Sequence, residues 1–417
     1  MWKKTVLVTA ITALLTGGAF TANAASSKFR DMDGHWSLES VGLAVEKGYV
    51  DGYEDNTFRP DKGVTRAEYL KMVVTANKLP ITQKADGSEW FKPYYAAALE
   101  KGLITETEFP VDKLNLPIAR VDMAKISVRA VNSKWHKQEM TEGEALYEST
   151  KVGLIQGMDD AGTLAPLGQT TRAQSVTSIE RVLALQAGKT LPVDKYATSN
   201  AEIEWHKTNI FTVMPQYFLR DYLDHGRNVD VSKMRFEAEN GYSEIEKIIA
   251  IDLDDPNDPN RALIPKNVRW KTLGVTPVIE GGIGEYPTGA YALLAFNKLV
   301  VDSPVDVRGF RTSSLLVNYK GESKELKDAG KPYKLGLFTE YLPENEFYVV
   351  AAVRNVKAGH NDINFVNGFF IPKGKLTVDQ KDGLDRIAIY NQAAVELGQT
   401  VVHPLYSSRV DHSLSEE

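Results

Sequence analysis

The stretch Gly63–Val73, GVTRAEYLKMV, starts a helix and sets the pattern for the first half of the chain. Thr65 reads as an N-cap, and Glu68 three residues later completes a capping box. Arg66 then falls at the first helical position, where the partial positive charge of the helix dipole disfavours a cation. The arrangement recurs in PIARVDMAKISV around Arg120 and in TTRAQSVTSIERVL around Arg172, at spacings of 54 and 52 residues. Other markers keep register with it. Trp36 and Trp90 each lie 30 residues before their arginine, Gly48 and Gly102 lie 18 before, and Gly153 lies 19 before Arg172. GYVDGYEDNTFRP in the first repeat is echoed by GLIQGMDDAGTLAP in the third, and Pro60 and Pro166 each stand six residues before the arginine.

Each repeat reads as helix, loop, helix. In the first, Leu38, Val41, Ala44 and Val45 form an apolar stripe and Gly48 closes the helix; Leu70, Val73 and Val74 face inward from the second helix. YYAAALEKG and GEALYESTKVG supply the first helices of the other two repeats. A unit of about 50 residues buries too little surface to be secure alone, so the three are expected to pack on one another.

The repeats resemble the S-layer homology (SLH) domain. The likeness is carried by FRDMDGHW and GYVDGYEDNTFRPDKGVTRAE in the first repeat and TTRAQ in the third. The second departs most: Ala119 stands where the capping threonine is expected, Asp122 replaces the glutamate, and its loop lacks the second glycine. The resemblance implies tandem units at 27–80, 81–133 and 134–190 in a pseudo-threefold arrangement with grooves between neighbours. It also implies a partner, an anionic and often pyruvylated secondary cell-wall polymer attached to peptidoglycan.

Thr65, Glu68, Thr171 and Gln174 are accounted for as caps. The arginines are not, because the second repeat loses its cap and keeps Arg120. A helix N-terminus offers unpaired N–H groups to an anion, and an adjacent guanidinium can grip a carboxylate with two hydrogen bonds. Arg66, Arg120 and Arg172 are therefore the expected ligand residues, ranked Arg66, Arg172, Arg120 by completeness of their own motif. Trp36 and Trp90 either stack on sugar rings or pack at the start of the first helices. Asp31 is placed to accept hydrogen bonds from sugar hydroxyls, and Gly52 and Gly157 are expected to supply positive φ in the loops that wall the grooves.

The rest of the sequence sets bounds. Residues 1–24 read as a secretory signal peptide, with Lys3 and Lys4, an apolar stretch and a small-residue site at Ala22-Asn23-Ala24. The formal net charge of −6 becomes more negative once those lysines are removed, which argues against nucleic acid as a partner. No later segment has the apolar length of a membrane span. There is no cysteine, so disulfides and thiolate metal sites are excluded, and no cofactor is expected.

Residues 191–202 have the composition of a linker. Beyond them, from 203 to 417, β-type runs dominate, among them NIFTVM at 209–214, EKIIAIDL, YALLAF and NFVNGFFI. The fold class expected is α+β multidomain, with an all-α N-terminal triplet and a mainly antiparallel, sandwich-like second half. One late helix is expected over 376–399, with Thr377 and Gln380 as its capping box and Leu384, Ile387, Ala394 and Leu397 facing the sheet. Asp252–Asn260, DLDDPNDPN, could collect oxygen ligands for Ca²⁺, but it lacks the spacing of a calcium loop and reads better as an acidic turn. No HExxH, GxSxG or Walker motif occurs, so a displayed structural or interaction domain is the preferred reading. A polysaccharide-acting enzyme and a self-assembling surface-layer subunit are the alternatives.

Overall fold

The computed structural model describes residues 28–82, 84, 87–218, 229–275, 277–311, 314–319, 324–342, 347–350, 353–374, 387–392 and 402–407. The signal-peptide reading at 1–24 lies outside them. The chain is α+β: helices fill the first half and an antiparallel sheet the second. No helix among the described residues is long and apolar enough to cross a membrane.

The first half consists of three helix–loop–helix blocks. They contain α1 (Leu38–Glu46) and α2 (Arg66–Ala76), α3 (Lys92–Lys101) and α4 (Arg120–Val131), and α5 (Glu142–Thr150) and α6 (Arg172–Gln186). Gly102 follows α3 in the left-handed conformation, and Gly48 and Gly153 take positive φ at the matching places. The capping boxes at Thr65/Glu68 and Thr171/Gln174 are both formed. Ala119 has no acceptor on its methyl, so α4 starts with only the Asp122 carboxylate reaching back to the Ala119 N–H at 3.4 Å.

A ring of backbone bonds closes the blocks on one another. Val64 N–H donates to Thr170 O (3.1 Å), Thr170 N–H to Ile118 O (3.0 Å) and Ile118 N–H to Val64 O (2.9 Å). One apolar core then runs through all three blocks, from Phe29 and Met32 to Val182, and includes Tyr69, Phe109 and Ile155. A unit this small has too little core of its own, and here the shared core supplies it.

The stretch expected to be a linker is a helix. Asp194 caps α7 (Lys195–His206) by accepting from Tyr196 and Ala197 N–H, and Ala197 and Ala201 sink into the helical core. Its composition looked like a linker because small and polar residues suffice where a helix lies close against α5. NIFTVM is likewise not a strand. Ile210–Val213 forms a one-turn helix, α8, because the buried Glu202 carboxylate accepts from the N–H groups of Phe211 (3.0 Å) and Thr212 (2.8 Å). Asn209 then pairs with Ala250 through both its amide atoms, at 2.9 and 2.7 Å, and ties this junction to the sheet.

The strands are β1 (Arg235–Ala238), β2 (Gly241–Asp252), β3 (Val268–Thr272), β4 (Glu280–Gly281), β5 (Ala290–Ser303), β6 (Val307–Arg311) and β7 (Ser314–Tyr319). They continue as β8 (Gly336–Leu342), β9 (Phe347–Val350), β10 (Val353–Val356), β11 (Gly359–Pro372), β12 (Ile387–Gln392) and β13 (Val402–Ser407). The main sheet runs β1-β2-β5-β11-β8-β3-β4, with β9 on β8; β13-β12-β7 and β10-β6 form smaller sheets. Every strand pair is antiparallel. Along β5 successive residues enter different cores. Leu293 packs with Leu315, Ile387 and Leu405 of the small sheet, while Leu294 packs with Trp270, Phe338 and Phe370. A strand buried on both faces reads as a continuous apolar run, as YALLAF does.

The same physics overturns part of the late helix. Ile387–Gln392 is the central strand of its sheet, and Ile387, Ala388 and Ile389 are all fully buried. Three consecutive buried residues suit a strand covered on both sides better than a helix with one apolar face. The rest of that expected helix, 376–386 and 393–399, lies outside the described residues.

Candidate functional site

The arginines at the helix starts are held by the next block, not their own. Each first-position N–H donates to the carbonyl four residues before the following block's arginine: Arg66 to Leu116 (3.0 Å), Arg120 to Gly168 (3.0 Å), Arg172 to Lys62 (2.9 Å). The second-position N–H groups of Ala67, Val121 and Ala173 go to Leu114, Pro166 and Pro60. The threonine caps on α2 and α6 take a further N–H each, so the first three N–H groups of those two helices are engaged, whereas Ala119 supplies no side-chain acceptor at the start of α4. The expectation that open N–H groups at all three helix starts meet an anion is therefore not met at α2 and α6.

Two of the three guanidiniums are bound alike. Arg120 donates from Nε to Leu164 O (2.9 Å) and from Nη2 to Gln156 O (2.8 Å). Arg172 donates from Nε to Phe58 O and from Nη2 to Asp51 O, both at 2.9 Å, and lies 4.5 Å over the Phe58 ring. Arg66 differs. Its Nε and Nη2 both go to Asp122 Oδ2, at 3.0 and 2.7 Å, in an ion pair that is mostly buried.

A groove of about 320 Å³ opens where α4 meets the third block. Arg120, Met123, Gln156, Gly157, Gln174 and Arg181 line it, with Trp36 at its rim. Arg181 donates to Gln156 Oε1 (2.8 Å) and Leu154 O (3.4 Å). Among the described residues neither Arg120 nor Arg181 has a carboxylate within ion-pair distance. Burial lowers the pKa of both, and the neighbouring Arg181 charge lowers that of Arg120 further. Both remain cations, since an arginine side chain does not lose its proton at physiological pH. Thr177 Oγ1, also on the lining, is buried without a hydrogen-bond partner among the described residues.

The equivalent region beside Arg66 is neutralised internally. Arg129 occupies in α4 the place of Arg181 in α6, nine residues after the arginine, and donates to Leu103 O as Arg181 does to Leu154 O. Arg129, fully buried, pairs with Glu108 at 2.7 Å, and Lys125 pairs with the same carboxylate at 2.9 Å. Burial alone would raise the Glu108 pKa, but Lys125 and Arg129 outweigh it and hold it below the usual range. Glu108 and Asp122 thus stand beside Arg66 where Gln156 and Gln174 stand beside Arg120.

The remaining expected residues divide. Trp36 is 63% exposed, with the His35 ring 5.4 Å away between centroids. Trp90 is half-buried against the helical core, with Lys71 Nζ 5.9 Å from its ring centroid. Asp31 holds the first loop by accepting from the N–H groups of Phe58 (2.8 Å) and Arg59 (2.7 Å). Burial opposes its ionisation, yet those bonds keep its pKa lowered. Gly52 and Gly157 do not have positive φ. They are glycines because of close approach: a Cβ on Gly52 would stand 1.9 Å from Phe29 Cε1, and one on Gly157 would stand 2.5 Å from Gly162 Cα. Gln156, Arg181, Met123 and Glu108 were not singled out from sequence, and Asp122 only as a replaced capping glutamate. A common offset of nine residues from Arg120 to Arg129 and from Arg172 to Arg181 was the available signal.

Gly157 also links the groove to the second half. Its N–H donates to Asp194 Oδ2 at 3.0 Å, while Asp194 Oδ1 caps α7. At the next residues Lys195 and Tyr196 bind Asp255 in the acidic turn. The other acids of that turn are also engaged. Asp252 and Asp254 meet Lys373, and Asp258 accepts from Asp252 and Asn260 N–H. A smaller cavity of about 210 Å³ in the sheet is lined by Val268, Leu294, Phe338, Asn364, Phe365 and others, with no charged side chain.

The family model described as the S-layer homology domain matches residues 28–70, the first block. The chain is 34% identical over 136 residues to an S-layer protein of Bacillus thuringiensis subsp. finitimus, covering 31% of this chain and 16% of that protein. It matches the S-layer protein sap of Bacillus anthracis equally well, over 31% of this chain and 17% of the relative. It is also 26% identical over 193 residues to exoglucanase XynX of Acetivibrio thermocellus, covering 41% and 17%. The chain therefore spans about a sixth of the length of these relatives. It carries an SLH domain and is a protein of the cell surface.

Proposed function

We propose that the helical body holds this protein to the cell wall by binding an anionic secondary cell-wall polymer, with the Arg120–Arg181 groove as the principal site. The second and third blocks are read as further SLH units. The observation that carries the reading is a pair of arginines sharing one groove with neutral amides in place of carboxylates. Two uncompensated cations in a half-buried site favour an anion, and a planar guanidinium suits a carboxylate. A pyruvyl ketal meets the groove's other features as well. Its methyl would rest on Met123, its sugar ring would stack on Trp36, and hydroxyls would reach Gln174 and Thr177. The Arg172 site follows as a secondary one, with Tyr53, Arg59 and Lys62 clustered around it. The β-rich half is read as the displayed structural or interaction domain, coupled to the anchor through α7.

The test is co-sedimentation of the full chain with purified wall sacculi, before and after mild acid removes pyruvyl ketals. Binding should fall after acid treatment and in Arg181→Gln, whose thermal unfolding stays near that of the wild type. Undiminished binding in both arms would exclude the carboxylate mechanism.

A further inference from the structure

The three arginines share one helical position, and the observation left over is that only Arg66 is bound by a side-chain carboxylate. Asp122 sits at the third position of α4, as Gln174 does in α6. In α6 that side chain is committed to the capping box, with Gln174 Oε1 accepting from Thr171 N–H at 3.1 Å. In α4 the partner residue is Ala119, which has no hydroxyl, and the shorter Asp122 bonds the Ala119 N–H only at 3.4 Å. The same Oδ2 accepts more closely from Arg66 Nε (3.0 Å) and Nη2 (2.7 Å). Beside it Glu108 takes the charges of Lys125 and Arg129, where Gln156 leaves that of Arg181 standing.

We infer that Asp122 is a built-in occupant of the Arg66 groove: its carboxylate takes the place of an external one and keeps this first arginine from binding the polymer. The inference rests on the reading of the grooves as carboxylate sites. Its consequence is a chain whose first groove is filled by its own second block, leaving attachment to the grooves of Arg120 and Arg172. A point substitution at Asp122 should then restore a ligand site without touching Arg66.

The experiment is a calorimetric titration of the full chain with a methyl glycoside carrying a pyruvyl ketal. Asp122→Gln copies the residue of the third block, and Ala119→Thr combined with it rebuilds the whole capping box, so that the helix start is retained. The expected result is one additional mole of probe bound per mole of protein relative to wild type, lost again when Arg66→Gln is added. Unchanged stoichiometry in folded variants would overturn the inference while leaving the Arg120 reading intact. If wild type binds no probe but the variant binds one at Arg66, the Arg120 reading fails and the inference stands. If neither binds, both fail. An independent readout needs no variant: at saturating probe the Arg120 Nε–H resonance of wild type should shift and that of Arg66 should not. An Arg66 shift as large as that of Arg120 would overturn the inference.

Discussion

The starts of α2 and α4 present the same residue in the same place, and their surroundings make different sites of them. Arg66 reaches the second block and finds Asp122, with Glu108 beside it absorbing Lys125 and Arg129. Arg120 reaches the third block and finds the carbonyls of Leu164 and Gln156, with Arg181 uncompensated nearby. A groove here is a joint product of one block's arginine and the next block's loop. The charge of the site is decided by that next block, 36 to 56 residues away in sequence.

Breaking the neutralised region should have the largest effect. Glu108→Gln leaves the fully buried Arg129 without its carboxylate and should cost about 3–5 kcal/mol, read from urea unfolding followed by circular dichroism. A loss below about 1 kcal/mol would mean that the ion pairs are not what holds this block. The sign with pH follows from the lowered Glu108 pKa. Its stabilisation is complete above the unfolded glutamate pKa, near ~4.3, and is lost as pH falls through the lower folded value. Wild type should therefore lose its advantage over Glu108→Gln in acid, and a gap that persists there would contradict the assignment.

The next effect concerns the wall of the open groove. Asp194→Ala removes both the cap of α7 and the acceptor for Gly157 N–H. It should cost about 1 kcal/mol of stability and weaken polymer binding as well. Stability falling without any change in binding would separate α7 from the groove. The smallest effect is expected at the rim. Trp36→Ala should weaken binding by about 0.5–1 kcal/mol, several-fold in Kd, with no change in melting temperature because the ring is exposed. A lowered melting temperature would instead assign Trp36 to packing.

Much of this was legible, and the failures share a cause. Thr65, Glu68, Thr171 and Gln174 do what their spacing predicts, because a capping box is closed within four residues. The same locality put Arg66 first among the arginines, where the proposed reading puts Arg120 first. Arg66 has the most complete motif of its own, but its groove is completed by the second block, the one with the divergent loop. Arg120, with no threonine cap, meets the third block's intact loop. Asp122 looked like a defective cap because the sequence does not show that the next helix turns it toward Arg66. Gly52 and Gly157 were recognised as necessary for the wrong reason, since close approach to Phe29 and Gly162 is not visible in a local pattern. In the second half, Asp194 as a cap and Ala197 and Ala201 at helical spacing were signals for α7 that linker-like composition masked. Ile387–Ile389 was read by its place in a longer periodic stretch, although three consecutive buried apolar residues are a strand covered on both faces.

The proposed role of the Arg120 groove as the anchor rests on the absence of a carboxylate beside Arg181 among the described residues. It is tested most directly by Gln156→Glu, which gives this groove the acid its neighbour already has at Glu108. In a titration with the pyruvyl-ketal glycoside, affinity at the Arg120 groove should fall at least tenfold, about 1.4 kcal/mol, while the melting temperature holds or rises. Unchanged affinity in a folded Gln156→Glu protein would contradict the account.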